Sequence, residues 1–415
     1  MLNNITIVGG GTSGYLTAMY LANKYPKTQF TWIFPLENTP IGVGEALIPD
    51  VSAFMAEFGV TVEDILKHAQ GTLKIGIKFV DFNPGEEFNF PYGDDGFDLF
   101  HEIIKQHKVP NDILKDKGIT THFNALEVLK YLDTITNRFP NLNIIRNTTT
   151  REQLQGTYDL LIDCTGFSRT IANWPNNFIS IQDKIPNDQA LVYRSEYTDR
   201  VTQMLPYTVA HAMEHGWIWN VPLRNQLAMG YVHHSKFDVR QEFVDYLENK
   251  LGHPIDQSKI GTVKMETGRN KVHMKDKIVA IGLSSCFIEP LESTGLYITT
   301  SSVKRLCKFI DGEINEEDYN QQMNDDFDSL VNFIVAHYKY SNRNNEYWNY
   351  YKNQEIVKYS PIEIFPPQAW DFILSGFKQN QNPVSLKGVD FKQLINIRKG
   401  KEFYKWMEAY NVSNA

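Results

Sequence analysis

Cysteine is scarce in this chain: Cys164, Cys286 and Cys307 are its three thiols in 415 residues. None forms a CxxC pair, and a single bridge would leave one over. They are read as free thiols of a reducing compartment, not as a disulfide framework, and no metal site is expected. Basic residues are outnumbered, 41 against 49 acidic, for a net charge of -8. A nucleic-acid partner, which requires a basic face, is not expected. No apolar run approaches the roughly 20 residues of a membrane span. The chain enters the strand pattern NITIVGG almost at its first residue, with no signal-peptide pattern ahead of it. The expectation is a cytoplasmic protein without a membrane partner. Internal repeats are lacking, and self-association as a homo-oligomer is left open.

What is present suffices for one large core or two cooperating domains, with 42% hydrophobic and 13% aromatic residues. A buried strand over 5–8 runs into Gly9-Gly10-Gly11, a helix over 13–25 stopped by Pro26, and a second strand over 29–34. Pro49 marks the first turn of another helix. Thr61 and Asp64 make a capping box for a further one over 63–69. Residues 72–82 alternate, with Leu73, Ile75, Ile77 and Phe79 on one side and Lys74, Gly76 and Lys78 on the other. Residues 83–96 read as an excursion rich in Pro, Gly, Asp and Phe. A helix over 123–139 and a strand over 158–162 come next. Antiparallel strands are expected over 190–272, interrupted by a helix over 239–251. Residues 278–281 return to the first sheet, and the chain beyond Gly295 is mainly helix. The strands of the nucleotide unit are thus separated by inserted material.

Gly9-x-Gly11-x-x-Gly14 comes directly after a strand and opens a helix, the context that gives this pattern meaning. Gly9 permits the turn, Gly11 lets backbone approach a pyrophosphate, and Gly14 allows close helix–strand packing. The helix N-terminus favours the phosphate charge. The loop does not separate FAD from NAD. Phe34 and Pro35 stand where a ribose-binding acid is usual, and Glu37 is the nearest carboxylate.

Five further motifs succeed it along the chain. They are GVGEALIP (42–49), GTLKIGIKF (71–79), DCTGFSR (163–169), GWIWNVP (216–222) and SSCFIEPLESTG (284–295). With the glycine loop, and in this order over about three hundred residues, they resemble the flavin-dependent halogenases of the tryptophan-halogenase family. The resemblance implies an α/β protein. It would have a Rossmann-like, GR2-type flavoprotein domain for FAD (1–82, 121–182 and 273–310), and a substrate region with an inserted antiparallel sheet and a helical C-terminal part (83–120, 183–272 and 311–415). It also implies an oxidoreductase that uses FADH2, oxygen and a halide to form hypohalous acid, which halogenates an aromatic substrate such as an indole or phenol. Lys74 falls on the family's essential lysine and Glu292 on its glutamate; Lys78 falls on a non-catalytic position. Thr294 and Gly295 fall on the halide site. Trp217, Trp219 and Pro222 fall on the Trp-x-Trp-x-Ile-Pro motif that keeps organic substrate off the flavin, with Val221 in place of Ile. The implied cofactor contacts are Gly9, Gly11, Thr12, Ser13, Gly14, Glu37, Gly42, Val43, Gly44, Glu45, Ala46, Asp163, Gly282, Gly295 and Leu296. His101, Phe90 and Trp370 are the expected substrate contacts. The sections 83–121 and beyond Tyr351 are short for the family, which implies a more open aromatic site.

The chemistry needs these residue types. Hypohalous acid is small and indiscriminate, so something must hold it beside the ring; Lys74 can do so as an ammonium that polarises the O–X bond or as an amine that forms a haloamine. A carboxylate can orient it and accept the ring proton. Ser293, Thr294 and Gly295 open a long helix whose free N–H groups and dipole suit an anion. Each motif also has a bland reading. Paired Trp residues in a strand commonly pack on a core, a strand lysine commonly faces solvent, and Thr294 could simply cap a helix. Two other functions share the scaffold. An FAD-dependent aromatic monooxygenase (hydroxylase) would keep the glycine loop and DCTG strand but need neither the paired indoles nor Lys74 with Glu292. An NAD(P)-linked oxidoreductase would need a second nucleotide loop. The sequence offers one, so FADH2 is expected from a separate flavin reductase.

Overall fold

The computed structural model describes residues 2–36, 44–92, 119–358, 362 and 365–379. Its first layer is a six-stranded sheet whose central strands are short apolar runs buried on both faces, the signature of parallel strands covered by helices. The order is Met274–Lys275, Ile278–Ala280, Leu160–Asp163, Asn4–Val8, Gln29–Phe34 and Leu142–Arg146, parallel except for the first pair. Helix Thr12–Lys24 is buried along nearly its whole circumference. It ends where Tyr25 precedes a proline, which disfavours helical backbone. The return of 278–281 to this sheet, expected from the sequence, is present.

The second layer is a seven-stranded sheet. Its order is Gly261–Lys264, Gln189–Ser195, Leu227–His233, Gly216–Pro222, Thr208–Met213, Gly76–Val80 and Glu87–Pro91. All pairs are antiparallel except Thr208–Met213 with Gly76–Val80. Helix Arg240–Leu251 covers one face through Phe243, Val244 and Leu247, against Ile218, Met229 and Tyr231. Two smaller sheets bridge the layers, one of them formed by Gly44–Ala46, Thr120–Asn124 and Thr72–Lys74.

The alternating segment 72–82 departs from expectation. It is not one strand with a core face and a solvent face. Thr72–Lys74 belongs to the small sheet and Gly76–Val80 to the large one, with Ile75 between them. Both sets of side chains are buried, Lys74 and Lys78 included. Polar residues alternate here because each meets a specific partner, not water. Gly76–Val80 thus pairs on both sides within the large sheet, with Thr208–Met213 and Glu87–Pro91.

Helices dominate the C-terminal part: Gly295–Ile310, Glu316–Lys339, Glu346–Lys352 and Pro367–Gly376. Asn315 and Asp318 cap the second of these reciprocally, as Thr61 and Asp64 do for Val62–His68. Among the described residues, no helix is long and apolar enough to cross a membrane. All three cysteines are free and buried.

Candidate active site

Lys74 has 0% of its surface exposed. Its Nζ donates to the Leu47 carbonyl at 3.1 Å and to Ser293 Oγ at 2.9 Å, and lies 5.0 Å from the centre of the Tyr92 ring. Burial pushes the ammonium down to about 7, against the opposing pull of the Glu292 charge. Desolvation is the larger effect. A solvated-face role is thus excluded for Lys74. Lys78, the other lysine of the motif, is paired with Glu87 at 2.6 Å across the adjoining hairpin.

Glu292 is 1% exposed. It closes the turn Pro290–Glu292 just before Ser293, which takes left-handed backbone at φ 58°. A non-glycine residue pays about 1–2 kcal/mol for that conformation. Here the kink lets two adjacent residues serve one lysine. Oε1 of Glu292 faces His337 Nε2 at 2.7 Å. The other ring nitrogen, Nδ1, donates to the Phe333 carbonyl at 2.8 Å, which fixes the ring's orientation. One proton therefore lies between Nε2 and Oε1. Oε2 is buried without a hydrogen-bond partner among the described residues.

Thr294 comes next, at the N-cap of helix Gly295–Ile310, yet its side chain makes no capping bond. Its Oγ1 is buried and unpartnered among the described residues. A Cβ placed on Gly295 would meet nothing within 4 Å. A buried hydroxyl, open space and the first N–H groups of a sixteen-residue helix together fit a small dehydrated anion. The simple capping role is not what Thr294 performs.

The glycine loop behaves as its spacing demands. Gly9 has φ 121°, and a Cβ there would lie 2.2 Å from the Cys164 carbonyl oxygen. At Gly14 it would lie 2.0 Å from the Gly9 oxygen, whereas at Gly11 it would meet nothing. The turn is closed around Gly9 and Gly14 and open at Gly11, where a pyrophosphate would approach; these residues fit the group. Trp32 Nε1 donates to the Gly9 carbonyl at 2.8 Å, holding the loop from beneath. The N-terminal ends of helices Thr12–Lys24 and Gly295–Ile310 meet at Gly282. Ser13 Oγ and Thr299 Oγ1 are 3.2 Å apart, and a Cβ on Gly282 would lie 2.2 Å from Ser13 Oγ. Thr12 and Leu296 line one small cavity with Leu47, the residue whose carbonyl holds Lys74.

One expected cofactor contact is corrected. The Asp163 carboxylate is fully used inside its own loop, accepting from the Thr165 N–H and hydroxyl and from the Ile171 and Ala172 N–H groups. It shapes the strand end and has no acceptor capacity to spare. Gly44 is closely packed as well: a Cβ there would lie 2.7 Å from the Ala228 side chain and 3.2 Å from Val221. Its neighbour Glu45 is pushed up to about 7 by burial, and Ala46 pairs with His122 in the small sheet. Glu37, Gly42 and Val43 lie outside the described residues.

Trp217 and Trp219 share one face of the seven-stranded sheet, their rings 6.1 Å apart and tilted by 58°. Trp217 Nε1 donates to Glu289 Oε1 at 3.2 Å. Glu289 is buried and also accepts from Asn187 and the Tyr338 hydroxyl. Trp219 lies over Gly230, where a Cβ would fall 2.0 Å from the indole. The pair is anchored at both members. Pro222 contributes its carbonyl, which accepts the Thr72 hydroxyl at 2.6 Å. Thr72 Oγ1 must then accept from His122 Nδ1–H at 3.0 Å, and His122 Nε2 accepts from Thr208 at 3.0 Å. Burial, assisted by Lys74, holds His122 well below the usual range. It is a neutral strut tying the lysine strand to the paired-Trp strand.

Of the expected substrate contacts, Phe90 and Trp370 are buried in an aromatic cluster around Phe333, 6.3 and 5.1 Å from its ring. Phe333 in turn supplies the carbonyl that orients His337. They form the packing behind the acid. His101 lies outside the described residues.

Sequence reasoning missed His337 and counted Tyr92 among several aromatic candidates for the substrate wall. The signal for His337 was a lone imidazole in the apolar helical run 333–338. For Tyr92, nothing local distinguishes it from Phe88 or Phe90.

The tryptophan halogenase family model matches residues 4–125 and 134–370. The chain is 26% identical to tryptophan 6-halogenase ThaL of Streptomyces albogriseolus, over 86% of this chain and 80% of that one. It is also 26% identical to tryptophan 7-halogenase RebH of Lentzea aerocolonigenes, over 82% and 77%. The fold is similar to the crystal structure of tryptophan 6-halogenase SttH from Streptomyces toxytricini, with TM-score 0.79 and 23% identity over 100% of this chain and 99% of that one. It is similar too to BrvH, a flavin-dependent halogenase from Brevundimonas sp. BAL3, with TM-score 0.76 and 22% identity over 98% and 99%.

Proposed function

The chain belongs to the tryptophan halogenase family, and from that premise we propose how its residues divide the work. The enzyme is a flavin-dependent halogenase acting on an aromatic substrate. When bound, reduced FAD with oxygen supplies the oxidising power that turns halide into hypohalous acid. Gly9, Gly11, Thr12, Ser13 and Gly14 hold the cofactor's pyrophosphate, with Gly282 and Leu296 bordering the same helix ends. The Thr294 hydroxyl and the Gly295 end of the long helix hold the halide. Lys74, as an ammonium, donates to the hypohalous acid and polarises its O–X bond. Glu292, through the unpartnered Oε2, accepts the proton released from the aromatic ring. Trp217 and Trp219 form the wall that keeps the organic substrate from the oxidation site.

One observation carries this reading. Two buried groups of opposite kind, the Lys74 amine and the Glu292 carboxylate, each keep capacity unspent, and the adjacent Thr294 hydroxyl is buried without a partner among the described residues. Buried polar groups without a partner call for an explanation, and a bound ligand supplies one for these neighbouring groups. The substrate is an indole or phenol, and bromide or iodide suits the site at least as well as chloride, since both oxidise more easily. A separate flavin reductase supplies FADH2, and the free buried thiols support a reducing, cytoplasmic setting. The hydroxylase alternative needs neither Lys74 nor Glu292 and is set aside.

The test is an aerobic assay with a flavin reductase, NADH, FAD, each halide in turn and a panel of indoles and phenols, read by mass spectrometry. Halogenated product that requires halide is expected. Oxygenated product formed without halide would overturn the reading.

A further inference from the structure

We propose that Tyr92 is a self-halogenation site: when no aromatic substrate is present, the oxidised halogen held at Lys74 is transferred to the Tyr92 ring. This rests on the halogenase reading of Lys74 and adds a modification site to it.

The geometry is direct. The Tyr92 ring centre is 5.0 Å from Lys74 Nζ, so an electrophile held by the amine lies against an electron-rich π-face. Its backbone N–H donates to the Ile75 carbonyl at 3.1 Å, fixing the ring beside the residue next to the lysine. The side chain is 7% exposed, and its hydroxyl is buried without a partner among the described residues. The oxygen lone pair is therefore left to activate the ring carbons ortho to it. Glu292 lies close enough for its charge, after burial, to help hold the phenol well above the usual range, so the ring reacts as a phenol.

The step balances with no reagent beyond hypohalous acid. The halogen bonds to the ortho carbon as the O–X bond breaks. The electron pair of that bond leaves on oxygen, and a proton from the Lys74 ammonium completes water. The ring C–H proton passes to Glu292, restoring aromaticity. The phenol and hypohalous acid become halophenol and water, and the proton on Glu292 returns to the lysine. A halogen at this buried position crowds the amine, so turnover without substrate disables the enzyme progressively.

The experiment incubates the full chain with flavin reductase, NADH, FAD, oxygen and bromide, without aromatic substrate, and maps bromine by peptide mass spectrometry. A parallel reaction containing a soluble thioether measures oxidised bromide. Among the 21 tyrosines, Tyr92 should carry the label in about tenfold excess over the 43%-exposed Tyr350, a modest share of what held geometry can supply. Lys74→Met should lose the Tyr92 label, and added indole should suppress labelling in the unaltered enzyme. Oxidised thioether with label confined to exposed tyrosines such as Tyr350, or with no label at all, overturns the proposal alone. No oxidised thioether in any arm overturns the halogenase reading, and the proposal with it.

Discussion

His337 Nε2 holds one oxygen of Glu292 at 2.7 Å and leaves the other, equally buried, without a partner among the described residues. The histidine cannot turn away, because its Nδ1 is committed to the Phe333 carbonyl, and the rings of Phe79 and Phe333 stand 5.1 Å from it. The carboxylate is thus aimed by one atom and available through the other.

Replacing His337 by Phe should lower aryl halogenation by up to about a hundredfold, the scale of a misplaced catalytic group. Halide oxidation should persist, and His337→Gln, which can still donate, should recover part of the loss. Steady-state kinetics of product formation beside a thioether assay for oxidised halide checks this. Equal loss in both assays would make His337 a packing residue.

The ammonium of Lys74 titrates at about 7 in the folded protein and near 10.5 when unfolded. Between those values the unfolded chain binds the extra proton, so stability rises with pH through that window, by at most about 1.4 kcal/mol per pH unit from this group. Lys74→Met should remove that rise, as urea unfolding at a series of pH values would reveal. Aryl halogenation should fall as pH climbs through about 7, because the ammonium is the form that donates. A rate that instead rises with pH would favour the amine and a haloamine route.

Thr294→Val should raise the KM for halide about tenfold, the cost of one hydrogen bond to an ion. The melting temperature should hardly move, because the hydroxyl does not cap its helix. Thr294→Ser should restore halide affinity. A large fall in melting temperature for the valine variant would mean the hydroxyl is structural.

The glycines of the loop should separate binding from folding. Gly11→Ala adds a methyl into open space and should fold normally while weakening FAD binding, as flavin fluorescence would report. Gly14→Ala drives a methyl to 2.0 Å from the Gly9 oxygen and should cost about 1–3 kcal/mol of stability. The reverse ranking would remove Gly11 from the pyrophosphate contact.

Features set by local chemistry were readable in the chain. The strand–glycine–helix opening, the capping box at Thr61 and Asp64, and the helix after Pro49 come from residue type and spacing within a few positions. Lys74 and Glu292 were found by motif, but their burial was not visible: alternation in 72–82 looks like a half-exposed strand, and only tertiary pairing reveals polar partners on both sides. Asp163 misled for the opposite reason. An acid at a strand end invites a ligand, and the four donors that occupy it come from residues up to nine positions later. His337 joins Glu292 from 45 residues away, through helix packing that no local pattern encodes.

The chain crosses from the small bridging sheet to the large one within a single residue, Ile75. The reactive amine consequently sits on a mechanical seam, one residue from a strand that shares its neighbour Thr208–Met213 with the strand of the indole pair. A slight shear between the layers, from a substitution far from any ligand, would re-aim the lysine without altering its chemistry. Regioselectivity in such a scaffold can drift through remote packing while the reacting groups stay unchanged.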